Sequence, residues 1–328
     1  MLHQQQVTGR GVTIAIIDSG LWEHPELLND THGKRRLLAR YDALENTEDM
    51  EALDESGHGT HMASIAVNSA PTLRDGKPTG WYKGVAPDAN LVAVKVLDRQ
   101  GRAHLLDIVR AVQWVVDNRD KHGIRILNLS FAQYPRWPYW EDPVNQAVMR
   151  AWKAGIAVVA AAGNEGPDVM TVGSPGNLPY IITVGAVTDS WTIGTRDDDY
   201  IPEFSSRGPT PTGHIKPDIV ALGGHMTGLI HPDSALATEQ PEDILNSGEF
   251  VSTGSSQASA FVSGLLAILL QLDPKLSPDE LKCKLTSSAE PAINADGRLA
   301  YSPFVQGFGY ADVTRAITLG RSDCGSND

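Results

Sequence analysis

The chain has 328 residues but only two cysteines, Cys283 and Cys324. So few exclude a disulfide-built scaffold and a cysteine-based zinc site. A bridge between the tail and the segment around Cys283 is one outcome; two unpaired thiols are the expected one. Positive charge is also short, with 27 Lys and Arg against 40 Asp and Glu and a net charge of −13. That balance opposes binding to a phosphate backbone, so no nucleic-acid partner is expected. No uninterrupted apolar run reaches the roughly 18 residues that a spanning helix needs. The most apolar stretch, 261–272, is broken by Ser263, Gly264 and Gln271 and reads as a buried core helix, so no membrane span is expected. The first ten residues lack an apolar stretch and a cleavage signal. The expected location is the cytoplasm if Met1 is the native start, and outside the cell if a leader or propeptide has been removed.

What is present is enough apolar sequence, 41%, to bury a full-sized core. Segments 12–17, 91–96, 124–129, 156–160, 181–187 and 218–222 are short and rich in Val, Ile and Ala. Such continuous apolarity predicts strands buried on both faces of a parallel sheet. Between them, 105–117 and 143–154 carry apolar residues at helical spacing, as in Ile108, Val112 and Val115. The alternation predicts an α/β fold, a doubly wound and mostly parallel sheet flanked by helices. One domain over 1–328 is expected, with 317–328 as a flexible tail. Segment 28–56 shows no clear element, and 133–143 and 223–250 are further long loops of the kind that carry function.

Several strand ends and turns carry chemistry. Ser256 lies in Gly-Ser-Ser-Gln-Ala-Ser-Ala, where a small-residue turn opens onto an apolar helix. A hydroxyl there sits among unpaired N–H groups that favour developing negative charge, but serine needs an adjacent base. Ser255, Ser256 and Ser259 compete for the plainer role of helix N-cap. His58, in Ser-Gly-His-Gly-Thr-His, is the candidate base. His58 and His61 also suggest a metal pair, yet no carboxylate or third ligand follows at the right spacing. Asp18 ends the first strand in Ile-Ile-Asp-Ser-Gly, where it can orient an imidazole or simply form a turn. Asn164, in Ala-Gly-Asn-Glu-Gly, can donate to an oxyanion or, again, form a turn. The order Asp, His, Ser along the chain is one of the three known orders of a serine triad.

Together these four segments resemble the signature blocks of the subtilase family of subtilisin-like serine proteases, and the likeness runs over roughly residues 8–316. The branch resembled is the bacterial AprX-like one, through Gly166-Pro167-Asp168, the acidic run Asp197-Asp198-Asp199, and Phe204 to Thr210 followed by Lys216-Pro217-Asp218. The resemblance implies a serine endopeptidase in which Ser256 is the nucleophile and His58 the base. Asp18 holds the imidazole, and Asn164 with the Ser256 N–H binds the oxyanion. It implies that a peptide or protein substrate adds as a strand between Gly101, Arg102 and Ala103 on one side and Ser130, Phe131 and Ala132 on the other. The S1 pocket is expected between Ser130-Phe131-Ala132 and Ala161-Ala162-Gly163, with Gly173 at its floor and Glu165 at its rim. Medium or large apolar P1 residues are expected to fit. No cofactor is needed for the chemistry; a structural calcium is possible, with Asp197, Asp198 and Asp199 as candidate ligands.

The sequence departs from the family pattern at Ser255, Gln257, Ala260 and Ala132, where Thr, Met, Pro and Gly are usual, and at Glu26, where a ligating Asp is usual. Gln257 removes a thioether beside the nucleophile, so resistance to oxidative inactivation is expected. Two alternatives stand beside the peptidase: a catalytically idle binding module on the same fold, and a peptide ligase or esterase using the same acyl-enzyme. The sequence carries no sign of oligomeric state.

Overall fold

The computed structural model of the chain describes residues 2–48, 53–190, 192, 195–196 and 198–319. They form two compact units. The first is drawn from 1–128, 227–252 and 263–275, the second from 129–226, 253–262 and 276–328.

In chain order the first unit holds β1 (Thr13–Asp18), α1 (Pro25–Leu28), β2 (Leu37–Asp42), α2 (His58–Val67), β3 (Pro71–Arg74), β4 (Lys77–Tyr82), β5 (Asn90–Lys95), α3 (Leu105–Asp117), α4 (Arg119–His122) and nearly all of β6 (Ile124–Leu129). Every residue of β1 is buried, which is why its sequence is apolar without alternation. β1 pairs in parallel with β5, setting Asp18 opposite Lys95. β2 pairs in parallel with the other side of β5 through a register shift at Leu37 and Ala39. β2 corrects the expectation that 28–56 holds no element. Its burial is uneven, with Leu38 exposed and Arg40 drawn inside, so it lacks the continuous apolar run that marks a central strand. The β3–β4 hairpin is likewise unforeseen, because its exposed, polar strands rest on pairing with each other rather than on burial. The unit also buries an arginine. Arg36 is 1% exposed, and its guanidinium donates to the carbonyls of Asn29, Pro87 and Glu26 at 2.6–3.0 Å. Burial pulls its pKa down to about 10, against the opposing charges of Asp88 and Asp30.

The second unit holds α5 (Pro143–Lys153), β7 (Ala157–Ala161), β8 (Ile182–Val187), β9 (Ile219–Leu222), α8 (Pro278–Ser288), α9 (Pro303–Gln306) and α10 (Val313–Thr318); the short α6 (Ala235–Glu239) belongs to the first. β7, β8 and β9 pair in parallel in that order. Beneath the start of β9 lies a buried charge cluster. Lys216 donates to Asp218 Oδ2 at 2.6 Å, to the Ile181 carbonyl and to Thr183 Oγ1, using all three ammonium hydrogens. Lys282 of α8 reaches Asp218 Oδ1 at 3.0 Å. Burial alone would push the Asp218 carboxyl up, but the two ammonium groups hold it below the usual carboxylate range.

Helix α7 (Ser255–Leu272) begins in the second unit. At 18 residues it is long and apolar enough to cross a membrane by length and composition, and 78% of it is buried, as in the core helix expected over 261–272. Cys283 on α8 is disulfide-bonded rather than free, contrary to the expected pair of thiols; Cys324 lies outside the described residues. Of the tail expected at 317–328, Ile317 and Thr318 close α10 and 320–328 lie outside the described residues.

Candidate active site

In the first unit, the end of β1 meets the start of α2. Asp18, fully buried, accepts from His58 Nδ1 at 2.7 Å, and its Oδ1 also accepts from the Ser19 N–H at 2.8 Å. His58 is the first residue of α2, after Gly57 in the left-handed region at φ +91°. The turn is fixed by a carboxylate that sequence reasoning missed. Asp54 accepts from the N–H of Gly57 and of Thr60 and from the Thr60 hydroxyl, at 2.6–2.8 Å. It thereby satisfies the open N–H groups of the first helical turn. Ser19 Oγ ties the two carboxylates together, donating to Asp54 at 2.7 Å and accepting from the Gly59 N–H. Burial disfavours the imidazolium of His58, but the Asp18 charge and hydrogen bond, with Asp54 behind, outweigh it and raise the pKa above the usual histidine value. His61 faces elsewhere, with Nε2 3.1 Å from the Phe250 carbonyl, so the two histidines form no metal pair.

In the second unit, Ser256 and Asn164 come together at the first turn of α7. None of the three serines caps that helix. Ser255, 1% exposed, donates through N–H (2.9 Å) and Oγ (3.0 Å) to Asn164 Oδ1, and accepts from the Gly163 N–H at 3.1 Å. Ser259 Oγ donates back to the Ser256 carbonyl at 2.8 Å. With Oδ1 occupied twice, the Asn164 amide is locked, and its Nδ2 remains as an outward donor on an exposed residue. The half-buried Ser256 hydroxyl donates to the Ser130 carbonyl at 2.8 Å. A Cβ on Gly254 would stand 2.8 Å from Gln257 Oε1 and 3.2 Å from Asn164 Nδ2, so a larger residue would have to shift both side chains.

Beside this group opens a cavity of about 390 Å³. Ala132, Gly163, Asn164, Glu165 and Gly173 line it. So do Gln133, Tyr134, Pro135, Met170 and Thr171, which sequence reasoning did not single out. Ser130, Phe131, Ala161 and Ala162 are not in the lining; Ala161 and Ala162 are buried at and beyond the end of β7. A Cβ on Gly173 would come within 2.8 Å of the Ala132 methyl and 2.9 Å of the Gln133 carbonyl, so glycine alone keeps this wall open. Gly173 donates to the Ala162 carbonyl at 3.0 Å, and Gln133 and Ser174 exchange backbone hydrogen bonds. Asp142 supports the same wall, capping α5 at Val144 while accepting from Ser174 Oγ at 2.8 Å. In the adjoining loop Tyr139 packs edge-on against Trp140, Tyr180 and His214.

Gly101, Arg102 and Ala103 lie in the first unit, on a turn closed by Asp98, whose carboxylate accepts from the Arg102 N–H at 2.9 Å. Asp197 lies outside the described residues, and Asp198 Oδ1 accepts from Thr192 Oγ1 at 2.6 Å. Burial raises the Asp199 carboxyl above its usual range, favouring the neutral form. Among the described residues no three His, Cys, Asp or Glu side chains gather as a metal site.

The subtilase family pattern matches residues 9–309. Serine protease AprX of Bacillus subtilis (strain 168) is 40% identical over 95% of this chain and 67% of its own, so the chain spans about two thirds of that relative's length. Among solved structures, the S41 psychrophilic protease is 26% identical with a TM-score of 0.74, covering 93% of this chain and 92% of its own. Sphericase is 28% identical with a TM-score of 0.73 over the same shares. The chain belongs to the subtilase family and is a subtilisin-like serine endopeptidase. Its fold is the family's, with seven parallel strands flanked by helices, and the family's chemistry needs no cofactor.

Proposed function

We propose that the chain cleaves peptide bonds through an acyl-enzyme on Ser256, with His58 as general base and acid and Asp18 as its orienting carboxylate. The Ser256 Oγ attacks the scissile carbonyl as His58 Nε2 takes its proton; His58 then returns that proton to the leaving amine. The negative charge on the tetrahedral oxygen falls between Asn164 Nδ2 and the Ser256 N–H. The observation that carries the reading is the Ser255–Asn164 lock. It orients one donor before substrate arrives, as an oxyanion site requires. The 2.7 Å contact between Asp18 and His58 Nδ1 supports it by fixing the tautomer that leaves Nε2 free to accept.

The cavity lined by Ala132, Gly163, Glu165 and Gly173 is the site for the P1 side chain. Its volume and small-residue walls favour medium or large apolar side chains such as Leu, Phe, Tyr or Met. Ser130 to Ala132, with Gly101 to Ala103, bind the substrate backbone. The resting Ser256 hydroxyl is parked on the Ser130 carbonyl, and an incoming substrate N–H would compete for that acceptor and release it.

The test is pre-steady-state cleavage of an activated peptide ester and its amide. A burst of first product stoichiometric with enzyme on the ester, with hydrolysis of both, supports the reading. Turnover without a burst, undiminished in Ser256→Ala, overturns it. Partition of the acyl-enzyme between water and added amine measures the ligase alternative directly.

A further inference from the structure

Ten residues line the cavity, and only one of them is a long, flexible apolar side chain standing half in solvent. Met170 is 49% exposed and sits in the left-handed backbone region at φ +64°, an uncommon place for a residue with a Cβ. Its neighbour pins it there. Thr171 donates through N–H to the Arg207 carbonyl (2.9 Å) and through Oγ1 to the Asp168 carbonyl (2.9 Å), and accepts from the Arg207 N–H (2.9 Å). The backbone of 168–171 is therefore a fixed turn, and the unbranched Met170 side chain is its one adjustable part at the cavity. Gly163, at φ +112°, and Gly173 elsewhere in the lining offer no side chain to adjust, and neither takes an added carbon without collision.

We propose that Met170 is the residue that sets which P1 side chains the cavity accepts, and that its thioether makes this preference sensitive to peroxide. A thioether packs against ligands of differing shape at small cost, so Met170 closes over both aliphatic and aromatic P1 groups. Hydrogen peroxide adds one oxygen to the sulfur; the O–O bond breaks, the thioether is oxidised to the sulfoxide, and the peroxide is reduced to water. The product is polar and faces a cavity that selects apolar groups. With Gln257 rather than Met beside Ser256, oxidation alters selection while leaving the nucleophile intact.

The proposal rests on the reading that this cavity holds the P1 side chain, and the variants separate the two. Peptide-library profiling is run on wild type, Met170→Ala, Met170→Leu and Gly173→Val, before and after mild peroxide, with fluorophosphonate labelling as the count of competent serine. Met170→Ala shifts the ratio of kcat/KM for Phe over Leu at P1 by about tenfold. Peroxide lowers kcat/KM for large apolar P1 in wild type with labelling unchanged, and Met170→Leu abolishes that sensitivity. Equal peroxide sensitivity in wild type and Met170→Leu, or an unchanged profile in Met170→Ala, overturns the role of Met170. If Gly173→Val leaves the profile unchanged as well, the cavity reading itself falls. Should Met170→Ala fail to fold, the comparison of wild type with Met170→Leu still decides.

Discussion

Ser255 is the residue whose role differs most from what its type suggests. A serine at the start of a helix normally caps it, yet here, on the first residue of α7, hydroxyl and N–H both turn to Asn164 Oδ1. The amide is thus aimed before any charge develops, and that timing decides its value, since a donor needing no reorganisation stabilises the transition state more than the ground state. Asn164→Ala is expected to lower kcat by about 10²–10³-fold while leaving KM nearly unchanged; a loss confined to KM would assign Asn164 to ground-state binding. His58 carries a second prediction. As a base it must be neutral, and its raised pKa keeps it protonated to a higher pH than a free imidazole. The acidic limb of kcat/KM is therefore expected above pH 6.5, the ordinary histidine value. In Asp54→Asn, which removes one of the charges favouring the imidazolium, the limb moves to lower pH. A wild-type limb at or below pH 6.5 would contradict this.

Elements position these residues through a few buried polar links. α2 starts at His58 because Asp54 takes up its first N–H groups, and β8 and β9 are fastened by Asp218 between two ammonium groups. Such pairs are costly to break singly, because one partner's loss strands the other's charge in the interior. Asp218→Asn is expected to lower stability by about 3–5 kcal/mol, read from the denaturant midpoint; a change under about 1 kcal/mol would mean the lysines find other acceptors. Central strands were legible in the sequence because burial on both faces writes an unbroken apolar run, as in β7. β2 was not, since its buried positions include the charged Arg40, which reaches the exposed Glu23 at 2.9 Å, and its exposed positions include Leu38. Asp54 went unseen for the same reason, in a polar stretch whose order comes from hydrogen bonds rather than from periodicity.

At the scale of the whole molecule, family blocks made Asp18, His58, Asn164 and Ser256 legible, and the family's substrate pocket made Gly163 and Gly173 legible. Met170 and Thr171 were not readable, because Thr171 is placed by bonds to Arg207, 36 residues away in sequence. Local pattern carries no record of such a contact. Asp18 and His58 belong to one compact unit, and Ser256 and Asn164 to the second. The most direct measurement is labelling with a fluorophosphonate, followed by mapping of the modified peptide. The account predicts one adduct, on Ser256, absent in Ser256→Ala and strongly slowed in His58→Ala. An adduct on another serine, or equal labelling of wild type and Ser256→Ala, would contradict it.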